Sequence, residues 1–319
     1  MGTWNDLLLA LRQTGWPWLC GAKSIVESQT VCFSITHEDL LMTSNLSSEN
    51  PTHLPSQASS PDGRRVWFVL LSLVWGTLLV GSMLVGNLAG GHGSPAAVSM
   101  RMGSSVVLVV TGWLAFLLWR GSDAGPYACW IAVGMTLGTI GDFFNAGFLN
   151  WIPLPDPVLG GIAAFGLGHM AYITGCLVLS RQAGLTSWRA FVIALTVWQL
   201  FGLVTWYFVV LAGTEARGLV WPSLPYSALL AGTAGITSGM ALQDSRFLRL
   251  ALGGALFLAS DLILACGMFR GHVPHQTEWV WCTYGPGQML IVFSVLSATI
   301  VLQDRHATYR RQFHLVIKN

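Results

Sequence analysis

The sequence predicts an all-α polytopic membrane protein, a bundle of eight transmembrane helices. Three observations predict it: scarcity of charge, eight apolar runs of membrane length, and basic residues gathered on one side of those runs. Of 319 residues, 53% are hydrophobic and only 9% charged, where a soluble protein carries about 25% charged residues. Mean hydropathy is +0.58. Such a chain cannot cover a water-facing surface with polar groups, so lipid is its solvent. A net charge of +2 provides no footprint for nucleic acid. The expected partner is the bilayer, with room left for a homo-oligomer.

A membrane helix needs about 20 mostly apolar residues. Runs of that kind are Val66–Val85, Ala97–Trp119, Tyr127–Leu149, Val158–Ser180, Trp188–Ala212, Leu224–Leu242, Phe247–Phe269 and Trp279–Leu302. The sixth is rich in Gly, Ala and Thr, small residues that let membrane helices pack closely. Eight crossings put Arg64, Arg65, Arg120, Arg181, Arg189, Arg246, Arg249, Arg305, Arg310, Arg311 and Lys318 on one side, and only Arg101, Arg217 and Arg270 on the other. Basic loops stay inside. Both termini are therefore expected in the cytoplasm, and the membrane is the plasma (inner) membrane if the host is bacterial.

Residues 1–62 read differently. The stretch "MTSNLSSENPTHLPSQASSPDGRR", from Met42, is polar and Ser/Pro-rich, the composition of a disordered lead-in. Leu7–Leu11 is too short to span, and no cleaved signal is legible. The expected organisation is an N-terminal extension over 1–62, with Met42 as the true start, a membrane domain over 63–304 and a basic cytoplasmic tail over 305–319. The six cysteines show no CxxC or framework spacing, so neither disulfides nor a cysteine metal site is read.

Four polar side chains interrupt the runs at similar depth. At 1.5 Å per residue, Asp142, Asp261 and Gln288 lie about 21–22 Å from the cytoplasmic ends of their spans and His169 about 16 Å. Phe165, His169 and Tyr172 share a helical face, as do Tyr284 with Gln288 and Gly253 with Phe257 and Asp261. Gly134, Gly138 and Gly141 lead up to Asp142 and let another backbone approach. "IGDFF" and "ASDLI" stand 119 residues apart on spans running the same way, which predicts a parallel four-plus-four repeat. A carboxylate at mid-membrane costs about 2.5–3.5 kcal/mol, so Asp142 and Asp261 are read as functional. Of two close carboxyls in a low dielectric, one keeps its proton, and the pair supplies an acid and a base at neutral pH. That equipment suits hydrolysis of an acid-labile bond in a lipid without metal or cofactor. It equally suits a proton-coupled transporter or lipid carrier.

The segments "GTIGDFF…GIAAFGLGHMAYITG" and "GGALFLASDLILACGMF…CTYGPGQMLIVFS" resemble the signature regions of the YhhN/TMEM86 family, the lysoplasmalogenase-like membrane proteins. Gly141, Asp142, Phe165, Gly168, His169, Tyr172, Phe257, Ser260, Asp261, Tyr284 and Gln288 match its pattern. Two departures are Gly287, where the family carries Ala, and Pro286, which is expected to kink the last helix. Arg101 is the position nearest the basic residue the family carries in the second span. The resemblance implies cleavage of the vinyl ether bond of lysoplasmalogens to a fatty aldehyde and a glycerophospho-head group. Asp142 and Asp261 would be the catalytic pair, by the two-carboxylate logic of glycoside hydrolysis. His169, Tyr172, Ser260, Tyr284 and Gln288 would bind substrate or support the pair.

Other classes fit less well. The aspartates lack the flanking residues of intramembrane aspartyl proteases. His272 and His275, in "GHVPH", sit in a loop with no third histidine for zinc. No span carries a lysine for retinal.

Overall fold

The computed structural model describes residues 61–88, 91 and 93–318. The expected extension over 1–62, apart from its last two residues, and the expected start at Met42 lie outside the described residues. Each predicted run forms one helix: α1 (Pro61–Leu88), α2 (Pro95–Trp119), α3 (Gly125–Asn145), α4 (Pro157–Gln182), α5 (Trp188–Trp206), α6 (Val220–Ala241), α7 (Leu248–Arg270) and α8 (Gln276–Lys318). No strand occurs among the described residues. The last helix continues through Pro286 and past the predicted span end at Leu302.

Local chemistry explains the ends. Pro95, Pro126 and Pro157 occupy the first turns of α2, α3 and α4, where a missing N–H is no loss. Ser94 caps α2 by accepting from the Ala97 amide at 3.4 Å, and Asp156 caps α4 by accepting from Val158 at 2.9 Å. Gly147, at φ +79, ends α3 short of the predicted Leu149. A wide π turn, Tyr207–Leu211, extends α5. The Arg270 guanidinium donates to the Phe208 carbonyl in that turn.

Among the described residues, seven of the eight helices are long and apolar enough to cross a membrane, which makes this a multi-pass integral membrane protein. The exception, α6, packs against α4, α5 and α7, and every residue from Leu230 to Thr237 is buried. A helix enclosed by protein needs small residues for close approach more than apolar bulk. By contrast α1 and α5 are the least buried spans and present Leu73, Val80, Val197 and Leu200 to lipid.

Helix pairing repeats between the halves. Contacts α1–α2, α2–α3 and α3–α4 recur as α5–α6, α6–α7 and α7–α8, and the cross-contacts α4–α6 and α8–α2 exchange with one another. One register relates the halves. An offset of 119 residues carries Gly134 onto Gly253, Asp142 onto Asp261, Phe165 onto Tyr284, Gly168 onto Gly287 and His169 onto Gln288. The glycines do equivalent work. A Cβ on Gly168 would stand 3.1 Å from the Gly134 carbonyl oxygen, and one on Gly287 would stand 3.1 Å from that of Gly253. In each half the aspartate helix and the helix after it therefore meet backbone to backbone.

At the basic end, Asp244 in the α6–α7 connection accepts from the Arg246 amide and guanidinium, and Arg246 also pairs with Asp304 of α8 at 2.8 Å. The hydrogen bonds from Arg246 hold the Asp244 carboxyl below the usual carboxylate range. Its contribution to stability is complete above the unfolded value of about 4 and is lost as pH falls through the lower folded value. The pair is exposed, so the effect is at most about 1 kcal/mol. Thermal melts between pH 7 and 3 should show a slightly steeper acid loss in the parent than in Asp244→Asn; parallel curves would remove the ion pair from the account. Gly253→Ala places a Cβ 2.9 Å from the Gly287 carbonyl oxygen, whereas Gly76→Ala on α1 meets nothing within 4 Å. Overpacking costs about 1–3 kcal/mol. Melts in detergent should show Gly253→Ala destabilised and Gly76→Ala at or above the parent.

Candidate functional site

The glycine-mediated contacts bring α3, α4, α7 and α8 close enough for their polar residues to meet. Asp142 is 5% exposed. Its Oδ2 accepts from the Ser105 hydroxyl of α2 at 2.7 Å, and the Tyr284 hydroxyl of α8 lies within hydrogen-bonding reach. Gln288 Nε2 donates to that same Tyr284 oxygen from one turn along α8. Ser105 thus donates to Asp142 from α2, while Tyr284 and Gln288 of α8 stand beside it.

Asp261 has a different setting. Its Oδ2 accepts from the Tyr226 hydroxyl of α6. Ser260 Oγ lies 3.3 Å from its Oδ1, but donates at 2.6 Å to the Phe257 carbonyl. A hydroxyl has one proton, so the shorter bond claims it. Asp261 is half-buried and faces an apolar cavity of about 110 Å³ lined by Phe165, Trp206, Tyr226, Leu258 and Met268 among others. That volume is below the roughly 300–1,000 Å³ of a site enclosing a whole ligand. It has room for a short length of alkyl chain. Val209 and Val210 of the π turn also line it, in keeping with the occurrence of π turns at functional sites.

Aromatic rings separate the two carboxyls. The Phe165 ring stands 6.2 Å from Tyr284, 6.3 Å from Phe257 and 6.4 Å from Tyr226, and Phe257 is 5.0 Å from Tyr284. Asp142 and the Tyr284 hydroxyl both lie in the field of Asp261.

His169, 1% exposed, packs its ring 4.5 Å from Phe257. Its Nδ1 stands 2.9 Å from the Thr233 hydroxyl of α6. Nε2 meets no hydrogen-bonding partner among the described residues. Tyr172 is buried over Gly134, and its hydroxyl faces the Met135 sulfur at 3.8 Å rather than either aspartate. The buried Arg101 sits one helical turn from Ser105, within the field of Glu278. His275 pairs with Glu278 at 3.2 Å, and no cluster of three His, Cys, Asp or Glu suited to a metal occurs among the described residues.

Sequence reasoning named Asp142, Asp261, His169, Tyr172, Ser260, Tyr284 and Gln288. It missed Ser105, Tyr226 and Thr233, which supply the hydroxyls that meet the titratable groups. Tyr226 left a weak trace as an aromatic hydroxyl inside the least apolar run. Ser105 and Thr233 left none, because hydroxyls of that kind are common in membrane helices and satisfy themselves on the preceding turn.

The YhhN family model matches residues 100–295, a stretch that begins in α2 and holds every residue of this site. Lysoplasmalogenase TMEM86B of Sus scrofa is 29% identical over 195 residues, covering 59% of this chain and 72% of that protein. No solved structure matches the chain. With more than half of its length matched, including both aspartates and the hydroxyls that meet them, the chain belongs to the YhhN family, a family of lysoplasmalogenase-like hydrolases.

Proposed function

We propose that the protein hydrolyses the vinyl ether bond of lysoplasmalogen-type lipids within the membrane, with Asp261 as the acid and Asp142 as the fixed anion. The observation that carries this reading is the unequal setting of the two carboxyls, Asp261 half-buried and open to an apolar cavity and Asp142 enclosed. Ser105 commits its proton to Asp142. Tyr284, whose oxygen already receives the Gln288 amide, has its own proton to give. Asp142 is enclosed and does not line the cavity, so Asp261 is the carboxyl placed to reach a substrate there. Asp261 lacks a second committed donor, because Ser260 spends its proton on Phe257, and it faces the cavity where an alkenyl chain would lie.

In the reaction, the Asp261 carboxyl transfers its proton to the β-carbon of the vinyl ether. The double-bond electrons form the new C–H bond, and the α-carbon becomes an oxocarbenium ion. Asp142 stabilises that cation across the aromatic cluster, as a preorganised charge aimed at the transition state. Water adds to the α-carbon and returns a proton to the Asp261 carboxylate. The hemiacetal collapses, its hydroxyl proton passing to the departing glycerol oxygen. The products are a fatty aldehyde and a glycerophospho-head group, and both carboxyls are back in their starting states. The relative's name supports the substrate class. The 11 basic residues on the α1/α8 end against 3 on the other support a cytoplasmic location for that end and for both termini.

Purified protein should release aldehyde from a 1-alkenyl lysophospholipid. General acid catalysis contributes about 100–10,000-fold. Asp261→Asn should therefore lose activity over that range. Asp142→Asn should fall about 100-fold or more, as when one preorganised electrostatic group is removed. Both variants should keep the parent's melting behaviour. A folded parent without aldehyde release, or an Asp261→Asn variant with full activity, would refute the assignment.

A further inference from the structure

Basic residues are scarce at the end of the bundle opposite the α1/α8 end, where Arg101, Arg217 and Arg270 are the whole set. Arg101 is buried. The other two are exposed, and both fold back onto the π turn that ends α5. Arg270 donates to the Phe208 carbonyl, and Arg217 donates to the Leu211 carbonyl at 3.4 Å. Those carbonyls are three residues apart, less than one helical turn. The connection that follows is held in place on α7. Its Thr214 and Glu215 amides donate to the Phe269 carbonyl at 3.0 and 3.3 Å. Ala216 then takes a left-handed conformation at φ +46, a strained setting of the kind found at functional sites, immediately before Arg217. Glu215 is the one acid in this connection. Among the described residues, neither guanidinium meets a carboxylate.

These features border the cavity that Asp261 faces. Val209 and Val210 of the π turn line it, and its α7 wall runs from Leu258 through Asp261 to Phe269, the residue before Arg270. Asp261 and Arg270 are nine residues apart, about 13.5 Å along the helix. Nine residues make about two and a half turns, so Arg270 does not follow Asp261 on one face. Its bond to Phe208 brings the guanidinium to the turn that lines the cavity. In a 1-alkenyl lysophospholipid, seven bonds join the β-carbon of the vinyl ether to phosphorus. Extended, they span about 8 Å at roughly 3.5 Å per three bonds. The remaining distance of about 5 Å is what one contact of about 3 Å at each end takes up.

We propose that Arg217 and Arg270 bind the phosphate of the substrate's head group at the mouth of the cavity while the vinyl ether lies at Asp261. The proposal rests on the hydrolase reading for which lipid is held, but the recognition of a phosphate by the two arginines does not. Guanidinium forks match the oxygens of a phosphate. Each π-turn carbonyl takes one N–H of its arginine, and a guanidinium has five. Arginines that served only as interfacial anchors would extend along the bilayer surface, whereas these two converge on one turn. The substrate is then drawn from the leaflet opposite the α1/α8 end.

The test compares a 1-alkenyl lysophosphocholine with neutral 1-alkenylglycerol, which lacks the phosphate. The phosphate does not change charge in the reaction, so binding it lowers KM and leaves kcat alone. With two sets of charge-assisted hydrogen bonds, the parent's KM for the neutral lipid should be about 100 times that for the phospholipid. Arg217→Gln and Arg270→Gln should each lower that ratio to about 10, and the double variant should bring it close to one. A purely structural role would change both substrates together and leave the ratio as it was. If Arg270→Gln fails to fold, having lost its bond to the π turn, Arg217→Gln carries the test alone. The saturated 1-alkyl analogues repeat the comparison without chemistry, and their dissociation constants, from equilibrium dialysis of labelled lipid in detergent, should show the same ratios. Inorganic phosphate at millimolar concentration should not displace the 1-alkyl lysophosphocholine. Displacement would assign the arginines to a free anion and overturn the proposal, as would a parent ratio near one or a ratio that survives in the variants. The expected binding ratios in a parent that releases no aldehyde would instead refute the hydrolase reading and leave the phosphate site standing.

Discussion

Two carboxyl groups must be kept inside a hydrocarbon-solvated bundle, and most of the structure follows from that constraint. Each costs about 2.5–3.5 kcal/mol to place at mid-membrane, and an unpartnered buried acceptor adds more. Hydroxyls from α2, α6 and α8 meet that demand at Ser105, Tyr226 and Tyr284. They reach the carboxyls because glycines let α3 approach α4, and α7 approach α8, to backbone contact. Lipid supplies little drive for helices to associate, so small residues and interhelical hydrogen bonds must do it. Here the same groups that hold the bundle together also hold the site.

The repeat explains both the likeness and the difference of the two aspartates. Helix pairing and glycine contacts exchange between the halves under one register, so Asp142 and Asp261 begin from equivalent positions. One residue pair breaks the equivalence most clearly: Tyr284 brings a hydroxyl towards Asp142 from α8, whereas its counterpart Phe165 on α4 brings none to Asp261, which takes one from Tyr226 of α6 instead. The halves have thus diverged into one enclosed carboxyl and one that faces a cavity. A pair of acids set apart by their environments is a general route to acid and base functions at a single pH.

Much of this was legible in the sequence. Apolar run length and the one-sided distribution of arginine identify the eight helices, and the isolated charges identify both aspartates, because each signal reflects a free energy large enough to constrain composition. The ends were less legible. α3 stops before the predicted Leu149 because Gly147 takes a left-handed conformation, a local event that hydropathy does not register. α6 was the least apolar run for a reason visible only in three dimensions, its enclosure by α4, α5 and α7. The partners Ser105, Tyr226 and Thr233 were out of reach, since a hydroxyl in a membrane helix has the same spacing whether it bonds its own carbonyl or a carboxyl on another helix. The offset of 119 residues was present in the sequence from the outset, but only the matched glycine contacts show that it relates whole half-sites rather than two aspartates alone.

The central claim is that one fixed carboxyl delivers a proton to carbon. Its most direct test is to run the reaction in deuterium oxide, reduce the aldehyde as it forms, and determine the label at the carbon next to the carbonyl. Delivery by Asp261 from one side of a held alkenyl chain predicts a single deuterium in one stereochemical configuration. A racemic label, or no label at that carbon, would contradict protonation by a fixed acid and with it the account of the site.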